Sequence, residues 1–311
     1  MRQLHVSNEA LGDRAALDAA WDRDGYWYFR DVLDRGALER LRSVYLVELA
    51  NLGVIDGTDS LARHNGASLE HVPTKLETLS EQRAYRAFIA EPAIDALFRR
   101  LLGDKPFWIP TVEYQTTPPA RDRTRCRHTF VHQDGFYNEG VPFRICWIPL
   151  VPIDESVGGI AVTEGLHKGP CLHDRSNPPL FPIPEGAIPE SAWCRTTYQS
   201  GDLLMFDLNL PHTGLTNHSD RFRLSMDIRV MGASGDTPAI GVVTAISPES
   251  ISVRRSDDGR VVAFDLDETT YCRGGDGKKT TPAGLLRLLK VGAEAIVAGR
   301  GGRATLVRTP S

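Results

Sequence analysis

Apolar positions set the outline of the chain. From Glu9 to Leu52 they predict helix, short strand, helix. Ala15, Leu17, Ala20 and Trp21 recur at helical spacing, and Gly25-Tyr-Trp-Tyr-Phe-Arg reads as a strand. Leu38, Leu41, Tyr45 and Leu49 then mark a second helix that Asp34 can cap. Residues 53–81 are polar and glycine-containing, which predicts loop with a short helix, and a further helix is predicted from Glu81 to Leu102. From Phe107 the texture changes to short β-type runs punctuated by Pro, Gly and Asp. The candidate strands are 107–116, 127–133, 142–151, 158–163, 194–199, 203–208, 211–215 and 221–231. Many short strands with turn signals predict a mainly β fold with flanking helices, its core a double-stranded β-helix (jelly roll). The stretch Lys168 to Ala192 holds six prolines and no periodicity, the signature of a lid, a binding loop or a surface insertion.

The texture shifts again after Met231-Gly-Ala-Ser-Gly-Asp. Two strand-like runs flank Ser256-Asp-Asp-Gly259, a hairpin signal, and 291–298 with 304–308 forms another pair. These predict a small OB-like or SH3-like β-barrel, dividing the chain into residues 1–235 and 236–311. The barrel shows no aromatic and basic stripe, so packing, a lid or oligomerisation suits it better than oligonucleotide binding.

Composition narrows the function classes. The 311 residues are 41% hydrophobic and 24% charged with a net charge of −4, which excludes a collagen, coiled-coil or largely disordered chain and gives no broad footprint for nucleic acid. Five cysteines without a C-x-x-C pair indicate reduced thiols rather than a disulfide framework or a zinc finger. The first twenty residues carry alternating charges and no apolar core, unlike a signal peptide, and no run of about eighteen apolar residues would span a membrane. The expectation is a cytoplasmic enzyme acting on a small-molecule substrate, with no nucleic acid or membrane partner; a homo-oligomer stays open.

The chemistry centres on Thr129-Phe-Val-His132-Gln-Asp134. On a strand, residues two apart share a face, so His132 and Asp134 can reach one metal. Nine histidines could complete the site, and His212 is singled out by the turn and apolar strand Gly201-Asp-Leu-Leu-Met-Phe-Asp before it. Two histidines and one carboxylate on one face leave three positions open, the arrangement of non-haem Fe(II) oxygenases. An H-x-D tripeptide alone is weak, since most are structural or on the surface. Eleven residues past His212, Arg223 and Ser225 share a strand face where a guanidinium can grip a carboxylate. Arg221 and Arg229 read as surface ion pairs, and Arg121, Arg123, Arg125 and Arg127 as a solvated loop with a minority reading as an acidic-group contact. His167 reads as structural, His128 and His218 as surface. Phe136, Tyr137 and Phe143 suit either a pocket wall or ordinary core.

These pieces, in order, resemble the phytanoyl-CoA dioxygenase (PhyH) family of Fe(II)/2-oxoglutarate oxygenases. The resemblance runs over roughly residues 9–232, through Asp24-Gly-Tyr, His132-Gln-Asp134, Trp147-Ile-Pro-Leu, Gly158-Gly-Ile-Ala-Val-Thr-Glu-Gly-Leu-His167-Lys-Gly, Gly201-Asp-Leu, His212, Asn217-His-Ser219 and Arg223-Leu-Ser225. It implies His132, Asp134 and His212 as iron ligands, Arg223 with Ser225 on the distal carboxylate of 2-oxoglutarate, and Trp147 as the aromatic beside that cosubstrate. It further implies Fe(II), 2-oxoglutarate and O₂ as the reacting set, with succinate and CO₂ released. Two positions depart from the family pattern. Thr117-Pro118-Pro119 stands where a lysine is common, and Gly214 where serine is common; Gln115 and Thr129 are the candidates to supply the lost hydrogen bonds. A carboxylate at 134 favours hydroxylation over halogenation. Desaturation, cyclisation and epimerisation remain alternatives on the same cofactors, and a non-catalytic metal-binding scaffold is the alternative of a different class.

Overall fold

Tyr26, Trp27, Tyr28 and Phe29 are all buried, which requires a strand covered on both faces. The computed structural model describes residues 1–57, 59–73, 75–120, 129–138, 141–177, 181–274 and 279–310. Tyr26–Phe29 edges a five-stranded antiparallel sheet, followed in order by Leu203–Asp207, Arg144–Pro149, Arg223–Gly232 and Pro106–Thr117. A second sheet runs Arg2–Gln3, Trp193–Arg195, Ile160–Thr163 and His212–Gly214. Rings meet between the sheets, as where Phe206 stands edge-on to His212 at 4.8 Å. This is the jelly-roll core the strand pattern predicts.

Helices cover the outer face of the larger sheet. Arg14–Asp24 begins where the Asp13 side chain accepts from the Ala16 amide, and Arg35–Asn51 where Asp34 accepts from the Ala37 amide at 2.7 Å. Leu38, Leu41, Tyr45 and Leu49 face inward as their spacing predicts. The Tyr45 hydroxyl donates to the Ser225 carbonyl at 2.9 Å, tying that helix to a central strand. The helix predicted from Glu81 to Leu102 is instead three, Glu77–Glu81, Tyr85–Ile89 and Pro92–Leu102. Arg83 sits at φ +52° between the first two, and Pro92 fits only a first helical turn, so the third helix starts anew there.

The C-terminal segment forms one seven-stranded sheet, ordered Val261–Asp265, Ser250–Arg255, Ala239–Ile246, Glu294–Arg300, Arg303–Arg308, Tyr271–Arg273 and Lys279–Thr280. A further pairing, Asp265 with Arg303, brings its first strand back to its fifth. The predicted hairpin at residues 256–259 joins Ser250–Arg255 to Val261–Asp265. Ala295–Ala298 in one strand and Leu306–Arg308 in the next are buried on both faces. Ile296, Ala298 and Leu306 join the main core, while Ala295, Val297, Ala304 and Val307 join a second, smaller one. The C-terminal sheet is thus packed into the jelly roll rather than tethered to it.

Leu306→Ala should therefore destabilise the whole chain by about 2–5 kcal/mol, because its methyls fill the shared core. Urea unfolding of the full-length protein reads this directly. A loss below about 1 kcal/mol would mean the two units are not joined there.

Candidate active site

His132 and His212 lie opposite one another in an antiparallel bridge, each amide donating to the other's carbonyl at 3.1 and 3.0 Å. Their rings come to 4.2 Å between centroids. In each ring Nδ1 lies against the carbonyl two residues back, Phe130 at 3.1 Å and Leu210 at 3.0 Å. A carbonyl only accepts, so in the neutral ring Nδ1 carries the proton and the Nε2 lone pair is left bare. Asp134 is not on the same strand as His132, contrary to the sequence expectation. Position 132 is a single bridge, Asp134 opens the helical turn Asp134–Tyr137, and the expected strand 127–133 is not formed: residues 129–131 and 133 are irregular, while 127 and 128 lie outside the described residues. The turn still delivers the carboxylate, with Oδ1 3.6 Å from His132 Nε2. One ligand atom each from His132, Asp134 and His212 falls within 4.8 Å of the others. Two bare imidazole nitrogens and one carboxylate at this spacing are a donor set for a divalent cation such as Fe(II).

Arg229 overturns its sequence reading as a surface ion pair. It is 6% exposed, its Nη2 lies 3.3 Å from Asp134 Oδ2, and its Nη1 donates to the Thr111 carbonyl at 2.7 Å. Burial pushes the Asp134 carboxyl up, but Arg229 and the two histidines outweigh it and hold it at about 2. Burial and the neighbouring His132 push His212 down to about 3, so its ring is neutral at ordinary pH. Arg221 does form an ion pair, with Asp154 at 2.7 Å.

The strand Arg223–Gly232 turns one face toward a cavity of about 400 Å³ between the sheets. Arg223, Asp227 and Arg229 line it, while Leu224, Met226, Ile228 and Val230 are buried on the other face. Arg223 is 2% exposed, and its Nη1 donates to the carbonyls of Gly159 and Leu215, both at 2.8 Å. Gly158, at φ +88°, permits that approach, since a Cβ there would stand 3.0 Å from the Leu215 carbonyl oxygen and still closer to that of Thr216. Arg223 Nε and Ser225 Oγ are both buried with no hydrogen-bond partner. Such orphans are costly unless a ligand meets them, and a carboxylate would.

Of the sequence candidates, His132, Asp134, His212, Arg223, Trp147, Gln115 and Thr129 all line this cavity; Ser225 does not. Gln115 donates to Asp227 at 2.8 Å, and the Thr129 hydroxyl accepts from the Gly214 amide at 2.7 Å. A Cβ at Gly214 would stand 3.1 Å from that hydroxyl and 3.3 Å from Arg223 Nη2. Thr129 and Arg223 therefore fill the space a serine side chain would need. His167 packs beside Gly25, as its structural reading expects, and His218 is half-buried away from the cavity. Phe143 is core, whereas Tyr137 lines the cavity and Phe136 stacks on His173 at 4.2 Å. His128 and the four arginines from Arg121 to Arg127 lie outside the described residues.

Sequence reasoning missed His173, which comes from the proline-rich segment. Its Nε2 accepts the Gln133 amide at 3.0 Å, holding the residue between His132 and Asp134. It missed Asp227 as well. Burial raises that carboxyl to about 7, though Arg229 beside it opposes the rise. Because its folded value lies above the ordinary 3.8, the folded state gains a proton there and stability falls as pH rises from about 4 to about 7. Asp227→Asn should remove this slope, gaining stability relative to wild type across that window in urea unfolding. A difference that does not change with pH would contradict the assignment.

Residues 21–225, more than half of the chain, match the family Phytanoyl-CoA dioxygenase (PhyH). The 1-deoxypentalenic acid 11-beta-hydroxylase of Streptomyces arenae is 31% identical over 242 residues, covering 72% of this chain and 83% of that one. The protein of the same name from Streptomyces exfoliatus is 30% identical over 237 residues, with the same shares. EvdO2 from Micromonospora carbonacea var. aurantiaca, solved complexed with 2-oxoglutarate, aligns at a TM-score of 0.51 and 16% identity over 71% of this chain and 91% of its own, a likeness of fold alone. No helix among the described residues is long and apolar enough to cross a membrane. By the family match and the curated relatives, the chain belongs to the phytanoyl-CoA dioxygenase (PhyH) family and is an Fe(II)- and 2-oxoglutarate-dependent oxygenase that uses O₂.

Proposed function

We propose that this protein hydroxylates a C–H bond of a small organic molecule in secondary metabolism, with His132, Asp134 and His212 holding Fe(II). The observation that carries the reading is the convergence of those three donors within 4.8 Å, beside a cavity-lining arginine with a bare Nε. Iron with bound 2-oxoglutarate would supply the O₂ chemistry that oxidises the substrate and releases succinate and CO₂.

The chain's own side chains do the positioning. Arg223 offers Nε and Nη2 to the distal carboxylate while its Nη1 is spent on two carbonyls, so the guanidinium is fixed before the ligand arrives. Ser225 keeps an unpartnered hydroxyl on the same strand, off the cavity lining. Trp147 forms an apolar wall, and Gln115 and Thr129 hold polar atoms at the rim. Arg229 keeps Asp134 anionic, and therefore a ligand, across the working pH range. Relatives named as hydroxylases support hydroxylation over desaturation, cyclisation or epimerisation. The division into an oxygenase unit, 1–235, and an OB-like or SH3-like barrel, 236–311, is supported by the second core and by the Asp265–Arg303 pairing.

With a competent substrate, the product should gain one oxygen atom for each succinate formed, read by mass spectrometry. Loss of two hydrogens, or no mass change, would replace hydroxylation by desaturation or by rearrangement. Arg223→Gln should raise the KM for 2-oxoglutarate about 10-fold or more, since it removes a charged hydrogen-bond donor from a buried carboxylate. An unchanged KM would remove Arg223 from the cosubstrate site.

A further inference from the structure

The cavity beside the triad carries more positive charge than that site uses. Lys75 pairs with Glu113, and Arg229 reaches Asp134. Burial holds Asp227 near neutrality, and Arg223 is taken by the cosubstrate in the reading above. One arginine from the C-terminal segment, Arg308, remains on the lining.

Arg308 is 6% exposed. Its Nη1 donates to Asn138 Oδ1 at 2.7 Å and its Nε to the Thr309 carbonyl at 3.4 Å, and among the described residues no carboxylate pairs with it. Asn138 in turn donates to the Asp134 carbonyl at 2.9 Å, which turns its oxygen toward Arg308. Neutral acceptors orient the guanidinium but do not pair its charge, and the two carboxylates that act on it, Glu113 and Asp134, are paired elsewhere. Burial and the neighbouring Arg273 and Arg229 lower its pKa to about 9, so it is still protonated at neutral pH.

We propose that Arg308 anchors a carboxylate on the substrate, so that this oxygenase takes small carboxylic acids and its C-terminal sheet is a working wall of the pocket. The proposal rests on the iron and 2-oxoglutarate reading above. The roughly 400 Å³ cavity must hold cosubstrate and substrate together, which favours a compact acid.

The test uses full-length protein loaded anaerobically with Fe(II) and 2-oxoglutarate, the visible charge-transfer band reporting the loaded state. Cyclohexanecarboxylate, adamantane-1-carboxylate and dodecanoate are titrated by calorimetry, each beside its methyl ester, with cyclohexyl phosphate as a second anion. At least one acid should bind about 10-fold or more tightly than its ester. That preference should vanish in Arg308→Gln and survive in part in Arg308→Lys, which keeps charge without the planar fork. Arg260→Gln, on an exposed hairpin, should keep it in full. Should Arg308→Gln fail to fold, the Arg308→Lys loss and a fall of the preference with salt carry the test. Equal binding of acids and esters, no binding by any acid, a preference untouched by Arg308 substitution, or tighter binding of cyclohexyl phosphate than of cyclohexanecarboxylate would overturn the proposal. Absence of the charge-transfer band would instead fault the underlying site.

Discussion

The paired backbone hydrogen bonds between His132 and His212 are the constraint on which the site depends. They bring a segment of loop onto the edge of the smaller sheet and set two imidazoles side by side, their rings tilted by 50°. Because each Nδ1 is committed to a carbonyl two residues back, the protein's backbone decides which nitrogen is left bare. The third donor then needs only a one-turn helix starting at Asp134. His173 and Asn138 brace that turn from two sides, one through the Gln133 amide and the other through the Asp134 carbonyl.

Electrostatics around the triad follow from burial. A carboxylate in this interior would ordinarily rise toward neutrality, and Asp227 does, but Asp134 does not because Arg229 lies within 3.3 Å of it. Two aspartates only a few residues apart in space thus have different protonation habits. Arg223 follows the same logic in reverse. It is stripped of water, lowered to about 10 by burial and left with an unsatisfied Nε, so its free edge is poised for an anionic ligand.

Much of this was legible in the sequence, and what was not has physical reasons. The convergence of His132, Asp134, His212 and Arg223 on one cavity was legible because the motifs around them are local and ordered, and the Asp34 cap and the hairpin at 256–259 because turn and cap chemistry is local too. Arg229 was hidden by treating its charge as a surface mark. Its signal was present in the alternation Arg223, Ser225, Asp227, Arg229 against Leu224, Met226, Ile228, Val230, a strand with a polar face inside the protein. Placing Asp134 on a strand failed because a single bridge cannot be told from a strand by pattern alone. Arg308 and His173 could not have been found this way, since their closeness to the site arises from sheet closure and loop packing across long sequence separations.

Anaerobic titration of the metal-free protein with Fe(II) and 2-oxoglutarate tests the central claim most directly. One equivalent of each should produce the visible charge-transfer band of the iron chelate, and Asp134→Ala and His212→Ala should each abolish it. A band that persists in both variants, or none in wild-type protein that has bound iron, would contradict the account of this cavity as the oxygenase site.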